Sequence, residues 1–281
     1  KDGIIPGNGP NGGTIPAVVD AMARALQLNG TKTLHEVMQP AIELADGFIM
    51  YNFLSEVFAS QKKATSKWAS AYETYYPGGH VPQTGEMFRQ PNLARTLRII
   101  ADADKAEFDR SKDRNAAIQA GRDAFYKGEI ARRIGAAVEK DGGLMRYEDL
   151  AEYQGKIEAP ATTTVFGYEV CKGGFWSQGP AMLMTLNILE AAGIDKMKPG
   201  SDPYLHTVTE AFKLAFDDRN MYFGDPDFAT VPAKGLLSKA YAAERAKLIG
   251  EQASLEHRFG DPWKYEGRKR TTKQFMPHVL K

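Results

Sequence analysis

Cysteine is nearly missing from this sequence: Cys171 is the only one in 281 residues. No internal disulfide can form. Set in the run Thr164–Lys172, a lone cysteine reads as a small buried hydrophobe rather than a nucleophile. Histidine is also scarce, with His35, His80, His206, His257 and His278. No two of them stand three or four residues apart and none joins an H-E-x-x-H, so the usual helical zinc sites are excluded. There is no G-x-S-x-G elbow of a serine hydrolase. No apolar run approaches the ~18 residues that would span a bilayer. Charge of one sign is lacking too. Lys and Arg number 36 against 35 Asp and Glu, a net charge of +1, which provides no field for nucleic acid or an anionic membrane. The one basic cluster, Arg268-Lys269-Arg270, reads as a solvated tail.

What is present is ample core material, 43% hydrophobic against 25% charged. That suits one large domain or two small ones. Residues 1–16 are rich in Gly, Pro and Asn and read as a loop. Gly7 to Gly12 formally spells G-x-G-x-x-G, but no strand precedes it and no βαβ unit follows, so a dinucleotide is not expected. No cofactor is called for elsewhere either. Apolar spacing predicts a helix from Pro16 to Leu28. Thr33 and Glu36 form a capping-box pattern, with Pro40 expected to kink the helix they open. His35 reads as a surface residue. Residues 51–76 form an aromatic helical stretch, and Pro91 opens another helix. The charged, then Ala-rich residues 102–124 read as a solvated helical insertion, followed by a helix over 125–138. Thr162–Phe166 and Tyr168–Cys171 read as a hairpin. A loop, Gly173–Pro180, returns the chain to helix at Ala181. Ser201-Asp202-Pro203 starts a helix whose buried stripe is Leu205, Val208, Phe212, Ala215 and Phe216. His206, one position from that stripe, reads as a satisfied helix-surface histidine. Ser238 caps a last helix to Ile249. The expected division is a domain over 1–249 and an extended tail over 250–281.

Carboxylates close in sequence, Asp217-Asp218 and Asp225/Asp227, sit at a helix end followed by a Gly-Asp-Pro turn. Capping and turn-making account for them. The candidate substrate contacts are Ser177 and Gln178, a small polar pair beside Phe175 and Trp176 at a strand-to-helix turn. The same loop reads more readily as a packed cap on the following helix. Composition and spacing alone thus yield a helix-rich α+β chain with no self-contained catalytic set.

Several segments, in order, resemble the large subunit of the gamma-glutamyltransferase family of N-terminal nucleophile hydrolases. Thr14–Asp20 resembles the family's P-G-x-V-x-G segment. Gln39–Ala45 matches P-A-I-x-L-A, and Arg89–Ala94 matches Q-x-x-L-A. Phe125–Ala131, Gly142–Leu150, Gly179–Glu190, Gly224–Phe228 and Leu236–Tyr241 follow. The resemblance implies the helix-rich large-subunit part of an αββα sandwich. It also implies a precursor that cuts itself before a threonine. That threonine then heads a small subunit and attacks a γ-glutamyl or related small amide, with its own α-amine as general base. Hence no catalytic residue is expected in this chain, and its partner is a companion small subunit bearing the N-terminal Thr.

The departures are specific. Ala17 and Asp20 replace the two glycines of the first segment. Ser177-Gln178-Gly179-Pro180 stands where the family usually has Ser-Ser-Gly-Gly, which suits a broader group acting on other small amides. Thr271-Thr272-Lys273 is similar to the Thr-Thr-His processing site but lacks its histidine. Cleavage is therefore expected beyond Lys281, with the tail ending near the active site. Lys1 is expected to fall inside the large subunit, after the family's substrate-binding arginine. A non-catalytic helical interaction module or degenerate relative stays open as the alternative. Nothing in the sequence fixes the compartment.

Overall fold

The computed structural model describes residue 7 and residues 9–267. The expectations for Arg268–Arg270, Thr271–Lys273 and His278 lie outside the described residues. Two compact units divide the chain, Lys1–Lys156 and Ile157–Lys281. The sequence-based boundary at 249/250 falls inside the second of them.

The first unit carries α1 (Val18–Asn29), α2 (Leu34–Asp46), β1 (Phe48–Ile49), α3 (Asn52–Thr65), α4 (Ala69–Tyr75), β2 (Met87–Phe88), α5 (Pro91–Ser111), α6 (Arg114–Tyr126), α7 (Glu129–Lys140) and α8 (Tyr147–Ala151). The capping box at α2 is formed as expected: Thr33 Oγ1 accepts from the Glu36 amide at 3.3 Å, and Glu36 accepts from the Thr33 amide at 2.9 Å. Each satisfies a donor that a helix start leaves orphaned. Pro40 lies inside α2, on its exposed side. β1 and β2 pair antiparallel, with Phe48 opposite Phe88. The aromatic stretch breaks between α3 and α4 and serves packing: Phe58 meets Phe88 edge-on at 5.6 Å.

The charged stretch 102–124 is not a solvated insertion. It spans the end of α5 and most of α6, where Ala117, Ile118, Gly121 and Arg122 are buried. A Cβ on Gly121 would lie 3.0 Å from the Ile100 carbonyl oxygen, so the two helix backbones approach closely. The charges are spent internally. Asp104 accepts from the Leu34 and His35 amides at 3.2 and 3.0 Å, holding the start of α2. Arg122 pairs with Asp20, and both are buried. Ala23, Leu34, Ile100, Ile118, Phe125, Tyr126 and Leu150 form the apolar core around them.

The second unit carries β3 (Ala161–Val165), β4 (Tyr168–Lys172), α9 (Gly179–Ala191), α10 (Asp202–Tyr222), α11 (Ala233–Leu237) and α12 (Lys239–Ala246). β3 and β4 form the expected hairpin, with Thr163 opposite Val170. Cys171 on β4 is exposed, so the expectation of a buried thiol fails. It falls on the strand's open face, since neighbours along a strand point to opposite sides. α9 is buried nearly all round. Its Asn187 accepts from Thr163 Oγ1 at 2.8 Å and donates to the Leu237 carbonyl at 3.1 Å, tying the hairpin to the end of α11.

The predicted stripe on α10 is largely wrong. Leu205, Phe212 and Phe216 are 55%, 44% and 41% exposed, while Glu210, Asp217 and Asp218 are buried. The reason lies in residues 250–261, expected as an extended tail. They run along α10 and supply donors to those carboxylates, so the helix buries its acidic face beside Ala211, Leu214 and Ala215. Trp263, in a short turn over Pro262–Glu266, is buried in the same core. Helices predominate over one hairpin and one two-residue antiparallel pair in the described residues, the expected helix-rich α+β class.

Candidate functional site

The turn from β4 into α9 is built by its own side chains. Ser177 Oγ donates to the Gly174 carbonyl at 2.8 Å and accepts from the Gly179 amide at 3.1 Å. A Cβ on Gly179 would lie 2.8 Å from the Gly173 carbonyl oxygen, so the tight turn needs glycine there. Phe175 anchors the loop, buried against Phe223 with ring centroids 4.9 Å apart. Trp176 is 59% exposed, and its indole N–H donates to Glu158 at 2.7 Å. Gln178 Oε1 accepts from Arg219 of α10 at 2.8 Å. The Arg219 guanidinium also lies 4.3 Å from the Phe216 ring centroid.

Beside this turn lies an open cavity of about 710 Å³. Glu158, Pro160, Phe175, Trp176, Pro226 and Lys234 contribute to its walls. Two of the four loop residues singled out from sequence therefore face the cavity. The two polar candidates, Ser177 and Gln178, make the turn and the tie to α10 instead. An aromatic wall with one lysine and one glutamate can bind and orient a small polar molecule.

Sequence reasoning assigned Asp217 and Asp218 to capping, and the structure corrects this. Asp217 accepts from His257 Nδ1 at 2.8 Å and from the Arg258 amide at 2.7 Å. Asp218 is fully buried and accepts from the Tyr241 hydroxyl at 2.7 Å and the Gly260 amide at 2.9 Å. Arg245 Nε stands 3.0 Å from the same carboxylate. Burial pushes the Asp218 carboxyl up to about 6, against the opposing pull of Arg245, Gly260 and Tyr241. The available signal was spacing: with Glu210, these residues occupy i, i+7 and i+8 on one face of a helix. Asp225 behaves as expected, its Oδ1 accepting from the Asp227 amide at 2.9 Å in a turn. His206 finds the Gly250 carbonyl at 2.7 Å.

Among the described residues, no group of three or more His, Cys, Asp or Glu could hold a metal ion. None of their helices is long and apolar enough to cross a membrane.

The gamma-glutamyltranspeptidase family model matches residues 3–277. A glutathione hydrolase proenzyme of Bacillus subtilis is 31% identical over 255 residues, 90% of this chain and 40% of the relative. An acylase ACY 1 proenzyme of a Pseudomonas species is 33% identical over 237 residues, 84% of this chain and 39% of the relative. Among solved structures, Helicobacter pylori gamma-glutamyltranspeptidase superposes with a TM-score of 0.76 at 28% identity, over 87% of this chain and 66% of that one. The chain spans about 40% of the length of such curated relatives. The chain belongs to the gamma-glutamyltranspeptidase family, within the N-terminal nucleophile hydrolases.

Proposed function

We propose that this chain is the large-subunit part of a self-processed amidohydrolase or acyltransferase acting on a γ-glutamyl or related small amide. The observation that carries the reading is the family match across residues 3–277, together with relatives that are themselves proenzymes. In this reading the nucleophile is the N-terminal threonine of a companion small subunit. Its hydroxyl oxygen attacks the amide carbonyl carbon while the α-amine takes the hydroxyl proton. The C–N bond then breaks, and the leaving amine carries that proton away. Water or an acceptor amine resolves the resulting ester, regenerating the hydroxyl. Backbone N–H donors stabilise the oxyanion of each tetrahedral intermediate. Residues beyond 249 lead toward the processing site.

Within this chain, Ser177 and Gln178 are the proposed substrate contacts. Arg219 occupies the Gln178 carbonyl oxygen, which leaves the amide N–H donors for a carboxylate or carbonyl acceptor. The Ser-Gln-Gly-Pro sequence at 177–180 favours substrates beyond glutathione.

The test is intact mass and N-terminal sequencing of the purified protein, followed by reaction with a glutamine-analogue electrophile. Two chains and a labelled N-terminal threonine are expected. One continuous polypeptide with no new threonine terminus overturns self-processing and leaves the interaction-module alternative.

A further inference from the structure

We propose that a cavity among the end of α9, the start of α10 and the end of α12 binds an alkyl amine, taking its ammonium head at Asp202, Thr207 and Glu251 and its chain on an apolar wall. The inference stands apart from the self-processing reading and from the turn at Ser177 and Gln178.

The cavity measures about 730 Å³, within the roughly 300–1,000 Å³ of small-molecule sites. It belongs wholly to the second unit. Ala192, Met197, Ala246 and Ile249 give it an apolar wall. All four are only partly covered by the protein itself. Such a wall suits a short hydrocarbon chain, because removing it from water is favourable in proportion to the area covered.

The polar groups of the cavity are acceptors. Asp202 and Glu251 are exposed, and neither carboxylate is ion-paired among the described residues. Thr207 is 4% exposed, and its hydroxyl donates only to the Met197 thioether at 3.6 Å. The lone pairs of that oxygen take no donor among the described residues, although a buried hydroxyl oxygen ordinarily finds one. His206 Nε2 donates to the Gly250 carbonyl at 2.7 Å, so that nitrogen is engaged within the wall. No lysine or arginine lines the cavity. An ammonium group, with three donors and no acceptor, matches this set. A carboxylate or phosphate does not.

The backbone field has the same sign. Ala192 caps the C-terminus of α9 and Ala246 is the last residue of α12. A helix C-terminus carries roughly half a negative charge. The last turn of α9 has no basic residue to offset it. The last turn of α12 has Arg245, which is buried against Asp218. The opposing end is the N-terminus of α10, and Asp202 in its first turn offsets that positive charge. Glu251 and the two C-termini are left to attract a cation.

The experiment is calorimetric titration of the whole purified protein with hexylammonium, butylammonium, hexanol and hexanoate, together with hydrogen exchange. Hexylammonium is expected to bind at one site and to slow exchange within 192–197, 202–207 and 246–251. Hexanol, equal in length but uncharged, should bind at least tenfold more weakly, and hexanoate should give no saturable binding. Butylammonium should bind roughly tenfold more weakly, since each buried methylene is worth about fourfold. Asp202→Asn/Glu251→Gln should weaken hexylammonium at least tenfold, and Ala192→Leu should weaken it by filling the cavity with the carboxylates intact. Glu256→Gln, an exposed acid outside the cavity, should leave it unchanged. Equal affinity for hexanol and hexylammonium overturns the inference, as does wild-type affinity in the double variant. The probe series on the wild type decides the matter even if a variant fails to fold. Loss of binding after reaction with the glutamine-analogue electrophile also overturns it, because the amine would then occupy the catalytic centre.

Discussion

The Tyr241 hydroxyl donates to Asp218 at 2.7 Å in a site where neither residue meets solvent. Burial raises the Asp218 carboxyl from 3.8 to about 6, with Arg245, Gly260 and Tyr241 pulling the other way. The same burial raises Tyr241. A carboxyl raised by folding binds its proton more tightly in the folded state. Its contribution to stability is thus full below about 4 and fades as pH rises through about 6. Asp218→Asn removes this proton linkage. Thermal unfolding from pH 4 to 8 should show the Tm gap between wild type and variant narrowing as pH rises. A gap that widens instead would mean that Arg245 holds the carboxyl down.

In the first unit the sign reverses. Burial alone would raise Asp20, but hydrogen bonds from Arg122 and Arg24 outweigh it and hold the carboxyl below its ordinary value. Its stabilisation is present above 3.8 and is lost as pH falls through the lowered value. Asp20→Asn should flatten the acid limb of the Tm profile. Arg122→Met leaves the buried Asp20 carboxylate with only Arg24 and the Gly155 amide as partners and should cost up to about 3 kcal/mol at neutral pH. Urea unfolding at pH 7 and pH 3 checks both, and an unchanged acid limb in Asp20→Asn would remove Asp20 from the linkage.

Gly155 faces the same carboxylate. Its amide donates to Asp20 at 3.0 Å, and a Cβ there would overlap Asp20 Oδ2. Gly155→Ala should therefore destabilise the protein by roughly 1–3 kcal/mol through overpacking. The combination Gly155→Ala with Asp20→Gly should recover part of the overpacking cost. A fully additive double mutant, measured by the same urea unfolding, would show that the two positions do not touch.

Local rules carried far into this fold. The Thr33–Glu36 capping box, the 161–172 hairpin and the Asp225 turn were all legible because short-range hydrogen bonds decide them. Long-range pairing was not. Charge density in 102–124 pointed to solvent, yet Asp104 and Arg122 are consumed 70 and 102 residues away, at Leu34 and Asp20. Periodicity placed Phe212 and Phe216 inside α10, because no local pattern reveals that a distant strap will neutralise Glu210, Asp217 and Asp218. Asp20 stood out only as a departure from the family's glycine. Its partner Arg122 could not be named from spacing. At the candidate site, the loop and its aromatic neighbours were legible, but the Arg219 tie to Gln178 spans 41 residues and was not.

The Arg219–Gln178 tie allows the proposed substrate contact to be separated from packing. Gln178→Ala removes the amide donors and the acceptor together, while Arg219→Met removes the tie, along with the bonds to the neighbouring Asn220, and keeps apolar cover on Phe216. Gln178 is exposed, so neither change should alter stability by more than about 0.5 kcal/mol. If Gln178 donates to substrate, Gln178→Ala should raise KM several-fold with kcat nearly unchanged, the signature of lost uniform binding. Arg219→Met should raise it less, since the donors survive but are no longer held in place. Steady-state kinetics of the matured two-subunit enzyme on a γ-glutamyl anilide gives both values. Wild-type KM and kcat in Gln178→Ala would assign Gln178 to the loop's packing alone and move the search for substrate contacts to Trp176 and Lys234 on the cavity wall.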